Sequence, residues 1–121
     1  MTPATVLIDR SFLEALADPG HADHADVVSR YRALLDDYER GDIRLRARHD
    51  HLADLDGADD IVAPIERIHV AAQFRRQAGR LELAVAVDDD TAVTLVVMRR
   101  ESIDRIASLD PWFDQVRVVR F

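Results

Sequence analysis

The chain has 121 residues, no cysteine, and a formal charge of −7 from 23 acidic and 16 basic side chains. Disulfides and thiolate zinc sites are therefore excluded, and the charge speaks against a general basic surface for nucleic acid. The length fits one domain over residues 1–121 with one core, and no apolar run approaches the length of a membrane helix. The N-terminus has no signal-peptide pattern, so a cytosolic protein is the simplest reading. All the basic residues are arginine and none is lysine, a usage that suggests a high-GC bacterial genome.

Thr5-Val6-Leu7-Ile8 reads as a buried strand running into Asp9. Ser11-Phe12-Leu13-Glu14 has the form of a capping box, which predicts a helix from Ser11 to Asp18, stopped by Pro19-Gly20. A longer helix is predicted from about Asp23 to Arg40, with Val27, Val28, Tyr31, Leu34, Leu35 and Tyr38 as its apolar stripe and Gly41 just past its end. Ile43 to Arg48 alternates apolar and basic residues and reads as a strand. Its three arginines face either solvent, the plainer reading, or an anionic partner. Asp50 is placed to cap a short helix through Leu52-Ala53-Asp54-Leu55.

From Asp59 onward two local structures fit. Pro64 suits a first helical turn, with Ile65, Ile68, Ala72 and Phe74 as a helical face. Ile68, Val70, Ala72 and Phe74 also alternate, as do Leu81, Leu83, Val85 and Val87, which permits a β-hairpin turning at Ala78-Gly79. Asp88-Asp89-Asp90 break that pattern, and Thr91 to Arg100 is undecided by propensity. Ile103 to Asp110 reads as a strand running into a second acid. Pro111 to Asp114 makes a turn, and Val116 to Phe121 a last strand.

Two strand-ending acids, one near each end of the chain, give a resemblance to the PIN-domain family. Val6-Leu7-Ile8-Asp9-x-Ser11-Phe12-Leu13 resembles its first motif, and Asp23-His24 with the following helix its second segment. Leu52-Ala53-Asp54-Leu55 is similar to the helix that carries the family's second acid. Met98-Arg99-Arg100-x-x-Ile103-Asp104-Arg105-x-x-x-x-Asp110-Pro111-x-Phe113 is similar to the C-terminal motif of many bacterial members. The resemblance covers most of the chain, and this last motif is its most specific part.

The resemblance implies an α/β fold, a three-layer α/β/α sandwich with a central, mostly parallel sheet. It favours helix for Ile65 to Gln77 and for Thr91 to Arg100. It implies that Asp9, Asp54, Asp90 and Asp110 gather as catalytic, metal-binding acids around Mg²⁺ or Mn²⁺. The activity implied is that of a VapC-like endoribonuclease, the toxin of a toxin–antitoxin pair. RNA is then the substrate, an antitoxin protein the partner, and a homodimer the expected assembly.

The sequence departs from the family pattern at three places. The third acid position is held by Thr91, with Asp90 one residue earlier, about 100 degrees away on a helix. The run Asp88 to Asp90 also suits a helix N-terminus, and that reading stands slightly ahead of a ligand role for Asp90. Arg10 follows Asp9 where a small residue is usual, so its guanidinium either pairs with Asp9 or points away. The second acid is Asp54, one methylene shorter than the usual Glu. These changes keep open a degenerate PIN fold that binds protein or RNA without catalysis, and, further off, an unrelated α+β protein with the hairpin. His21, His24, His49, His51 and His69 offer no obvious third-ligand spacing and are read as ordinary surface side chains. Trp112 is read as a lid on the core in preference to a base-stacking platform.

Overall fold

The computed structural model describes residues 3–55, 57–85, 87–116 and 118–121, without the side chains of 82–85. The chain runs β1 (Ala4–Ile8), α1 (Arg10–Ala17), α2 (His24–Glu39), β2 (Ile43–Arg48), α3 (His49–Ala53) and α4 (Asp59–Val62). It continues through β3 (Glu66–Ile68), α5 (Ala72–Val85), α6 (Asp89–Arg100), β4 (Arg105–Ala107), a 3₁₀ turn (Pro111–Gln115) and β5 (Val119–Arg120). The five strands form one parallel sheet in the order β3-β2-β1-β4-β5. A parallel sheet needs long crossovers that place helices on its faces.

Alternation along β1 shows the two faces directly. Val6 and Ile8 belong to a core with Phe12, Leu16, Val27 and Leu34 from α1 and α2. Leu7 turns the other way, into a core with Ala92, Val93, Val97 and Phe113 from α6 and the 3₁₀ turn. Each of these β1 side chains is no more than 1% exposed. Burial of this kind stabilises by about 1.5–3 kcal/mol per large aliphatic side chain, which fixes the strand's register and hence the position of the residue that follows it.

Helix ends set the connections. After α2, Gly41 takes φ +80°, and the amide of Asp42 bonds the carbonyl of Asp37 at 3.0 Å. A left-handed glycine and a bond spanning six residues make a Schellman-type stop. The C-terminal motif contains a second stop of this kind: Ser102 takes φ 55°, and the amide of Ile103 bonds the carbonyl of Met98 at 2.8 Å. The Met98 to Ile103 spacing is thus the geometry that ends α6 and turns the chain into β4.

Several local expectations are corrected. The first helix begins at Arg10, so Ser11 lies inside its first turn and the capping box with Glu14 is not formed. Asp50 lies within α3, and Arg48 holds the N-cap position. The segment from Ile65 to Gln77 is not one helix: residues 66–68 pair with β2, and α5 starts at Ala72. The hairpin is absent, because Ala78 and Gly79 lie inside α5. Phe74, Ala78 and Leu81 face the second core at helical spacing. In the last segment only Val119–Arg120 is strand, and Arg117 lies outside the described residues. Among the described residues, no helix is long and apolar enough to cross a membrane.

Candidate active site

β1 is where the strand order reverses. The chain leaves it through α1 and α2 to reach β2 on one side, and much later returns as β4 on the other. Such a switch point leaves a crevice beyond the carboxyl ends of the two strands. Asp9 follows β1, and Asp110 stands three residues after β4. The crevice is a cavity of about 540 Å³ lined by Asp9, Arg10, Ser11, Glu14, Asp88, Asp89, Asp90, Thr91 and Asp110. Its lining carries six carboxyl groups and one guanidinium.

Asp9 holds the N-cap position of α1 but makes no side-chain cap bond. Its carboxyl instead faces Ser108 and Ser11, whose hydroxyls lie 2.8 and 3.2 Å from Oδ2. Each hydroxyl in turn accepts a main-chain amide: Leu109 donates to Ser11 and Asp110 donates to Ser108, both at 3.0 Å. The two serines therefore act as relays that orient Asp9 and fix the backbone leading to Asp110. Asp9 is 7% exposed. Burial pushes its carboxyl above the usual value, and the hydroxyl of Ser108 offsets this only in part. Asp110 caps the 3₁₀ turn, accepting the amide of Trp112 at 2.9 Å.

Asp90 enters the pocket from the first turn of α6. The cap of that helix is Asp88, which accepts the amide of Thr91 at 2.7 Å, so the aspartate run divides into a cap and a pocket acid. Asp90 is surrounded by cations and donors. His51 Nε2 lies 3.0 Å from its Oδ1, Arg48 Nη1 3.0 Å from the same oxygen, and Arg10 Nε 3.3 Å from Oδ2. The His51 hydrogen bond leads the causes that hold this carboxyl far below the usual carboxylate range, and the charges of Arg48 and Arg10 add to it. Asp54 lies at the C-cap of α3 with its side chain 63% exposed, and it joins the site only through Arg10, whose Nη1 is 3.2 Å from Oδ2.

Arg10 does not pair with Asp9. It reaches across the pocket to Asp54 and Asp90, with Glu14 at 3.9 Å. Burial acts against its charge, but the two aspartates outweigh that and raise its affinity for the proton.

Arg48 and His51 were not visible as site residues in the sequence. Both are 2% exposed. Arg48 places a two-pronged guanidinium on Asp50, at 3.1 and 2.6 Å, and donates to the carbonyl of Asp90 and the hydroxyl of Thr94, each at 3.0 Å. The expected solvated arginine face of β2 thus holds for Arg44, paired with exposed Glu66, but not for Arg48. His51 is likewise no surface histidine. His49 stacks on His69 with ring centroids 4.4 Å apart. Trp112 is half-buried against the second core and meets Phe113 edge to face, the lid arrangement expected from the sequence.

The donor set can be tested for a hard divalent cation, which prefers carboxylate oxygen. Among the described residues neither Asp9 nor Asp110 forms an ion pair, and the hydroxyls and the more distant His51 offset the burial of Asp9 only in part. These two fit. Asp50, His51 and Asp90 also bring potential ligand atoms within 4.8 Å of one another. Arg48 already neutralises both acids there, so that trio reads as an ion-pair network.

No protein-family model matches the chain, and no curated protein matches it. Among solved structures, the chain is similar to VapC20 of Mycobacterium tuberculosis, a sarcin–ricin loop cleaving toxin, with a TM-score of 0.67 and 18% identity. The match covers 94% of this chain and 96% of that one. The likeness establishes the fold, the PIN-like α/β sandwich that the motifs implied.

Proposed function

We propose that this chain is a VapC-like PIN endoribonuclease that hydrolyses RNA phosphodiesters with Mg²⁺ or Mn²⁺. The observation that carries the reading is the pair Asp9 and Asp110, acids with no ion pair among the described residues, which line one switch-point crevice beyond the carboxyl ends of adjacent parallel strands. The fold shared with a sarcin–ricin loop cleaving toxin supports it. Asp9 and Asp110 would hold the cation, with Asp90 on the facing wall. When bound, the cation supplies an activated water and neutralises charge on the leaving oxygen. The chain's own part is positional. Ser11 and Ser108 keep Asp9 aimed at the crevice, the 3₁₀ turn fixes Asp110, and the Arg48–His51 pair holds Asp90 ionised.

The same reading takes a protein antitoxin as partner and a homodimer as the assembly. The test is cleavage of a panel of structured RNAs by purified protein across a range of Mg²⁺ and Mn²⁺ concentrations. Cleavage is expected in the wild type and lost in Asp9→Asn and in EDTA. No cleavage at any metal concentration refutes the reading.

A second reading is a PIN-like binding module without catalysis. The observation in its favour is Arg10, a fixed cation already bonded to Asp54 and Asp90. A crystal soaked in Mn²⁺ separates the two: an occupied site at Asp9 removes the binding-module reading.

A further inference from the structure

We propose that Arg10 is a built-in cation that limits this pocket to a single divalent ion. The inference rests on the metal-site reading above and assigns the two halves of the pocket different occupants. On one side Asp9 and Asp110 form no ion pair among the described residues, though His51 and Arg120 act on them from further off. On the other, Arg48 and His51 hold one oxygen of Asp90, and Arg10 alone joins its second oxygen to Asp54, through Nε at 3.3 Å and Nη1 at 3.2 Å. These acids come from the end of α3 and the start of α6, and Arg10 is what connects them.

A guanidinium stays protonated at any physiological pH, and its flat fork reaches two carboxylates at once. It therefore neutralises the Asp54–Asp90 side without being titrated away. A second divalent ion there would have to displace Arg10 or sit against its positive charge. The position of Arg10 makes this specific to the chain: it is the first residue of α1, so the helix that follows Asp9 delivers the cation. Its side chain is 36% exposed, and the residue lines the cavity. It is therefore also the basic group of the pocket placed to meet a phosphate.

Isothermal titration of the metal-stripped full chain with Mn²⁺ tests this. Wild type is expected to bind one ion, Arg10→Gln two, and Arg10→Lys, which keeps the charge, one. Adding Asp54→Asn to Arg10→Gln is expected to return the count to one. Circular dichroism establishes that each variant is folded, as the half-exposed position of Arg10 leads one to expect. Two ions in wild type, or one in both wild type and Arg10→Gln, overturns the role of Arg10 and leaves the nuclease reading standing. No ion in wild type but one in Arg10→Gln overturns both the one-ion limit and the nuclease reading. No ion in either overturns both.

Discussion

Replacing Arg48 with methionine isolates the contribution of a buried cation that ties three elements together. Methionine keeps much of the aliphatic stem and removes the guanidinium. Lost with it are the two-pronged pair with Asp50, the contact with Asp90 and the bond to the buried hydroxyl of Thr94. Removing one partner of a fully buried ion pair costs roughly 3–5 kcal/mol. The acids here are 34% and 41% exposed, so water takes over part of the lost interaction and the pair itself must be discounted. Thr94 is 1% exposed, and its stranded hydroxyl adds about 1 kcal/mol. The expected loss is therefore about 2–3 kcal/mol at neutral pH, read by urea denaturation with an unchanged m-value.

The sign with pH follows from the acids. Burial opposes ionisation of Asp50, but the bonds and charge of Arg48 outweigh it, and the carboxyl is held below its usual value. Asp90 is held lower still, first by His51. Stability from these groups is present above the ordinary carboxylate pKa and lost as pH falls through the depressed folded values. The gap between wild type and Arg48→Met should accordingly narrow in acid. A loss below about 1 kcal/mol at pH 7, or a gap that widens in acid, would show that the Arg48 pairs do not stabilise the fold as argued.

Asp9 has the opposite sign. Burial raises its folded pKa, so in metal-free protein its ionisation costs stability progressively as pH rises from the ordinary carboxylate value through the folded one. Thermal melts of metal-free protein should show this fall superposed on the Asp50 and Asp90 gain, and Asp9→Asn should abolish the fall alone. Ser108→Ala removes the 2.8 Å bond to Asp9 and the acceptor for the Asp110 amide. Supports of this kind tune metal affinity by about 10–100-fold, so Mn²⁺ titration of the alanine variant should show weakening in that range, and unchanged affinity would deny the relay its role.

How much of this was legible in the sequence depends on the range of the interaction involved. The run into Asp9 and the stop at Gly41 are local patterns and appear as read, and so does the stripe of α2 except at its end, where Tyr38 is exposed. Asp110 does line the crevice, but the strand read from Ile103 up to it is only Arg105–Ala107 and ends three residues before it. β3 was missed because it is three residues long with two exposed side chains, too short to show a period. The helical spacing of Phe74, Ala78 and Leu81 was present, but alternation through Leu83 and Val85 masked it. Arg48 and His51 could not be found locally. They are buried because a helix 39–46 residues further on brings Asp90 and Thr94 to them, and no spacing within β2 or α3 records that. Arg10 was noticed as a departure, but its partners were not, since Asp54 and Asp90 are distant in sequence.

The position of β1 also governs the order in which the molecule can be made. Its two hydrogen-bonded neighbours are residues 43–48 and 105–107, and the Ser108 bond to Asp9 joins positions 99 apart. A ribosome releases the N-terminal strand first, so β1 can pair with β2, and β2 with β3, while the other edge of β1 stays open. The acid that follows β1 is made 99 residues before Ser108, one of the two serines that orient it, and before Asp110 of the same crevice. The crevice is thus incomplete until Asp110 has been made. During that interval a bare apolar strand edge is the nascent chain's main exposure to misassociation.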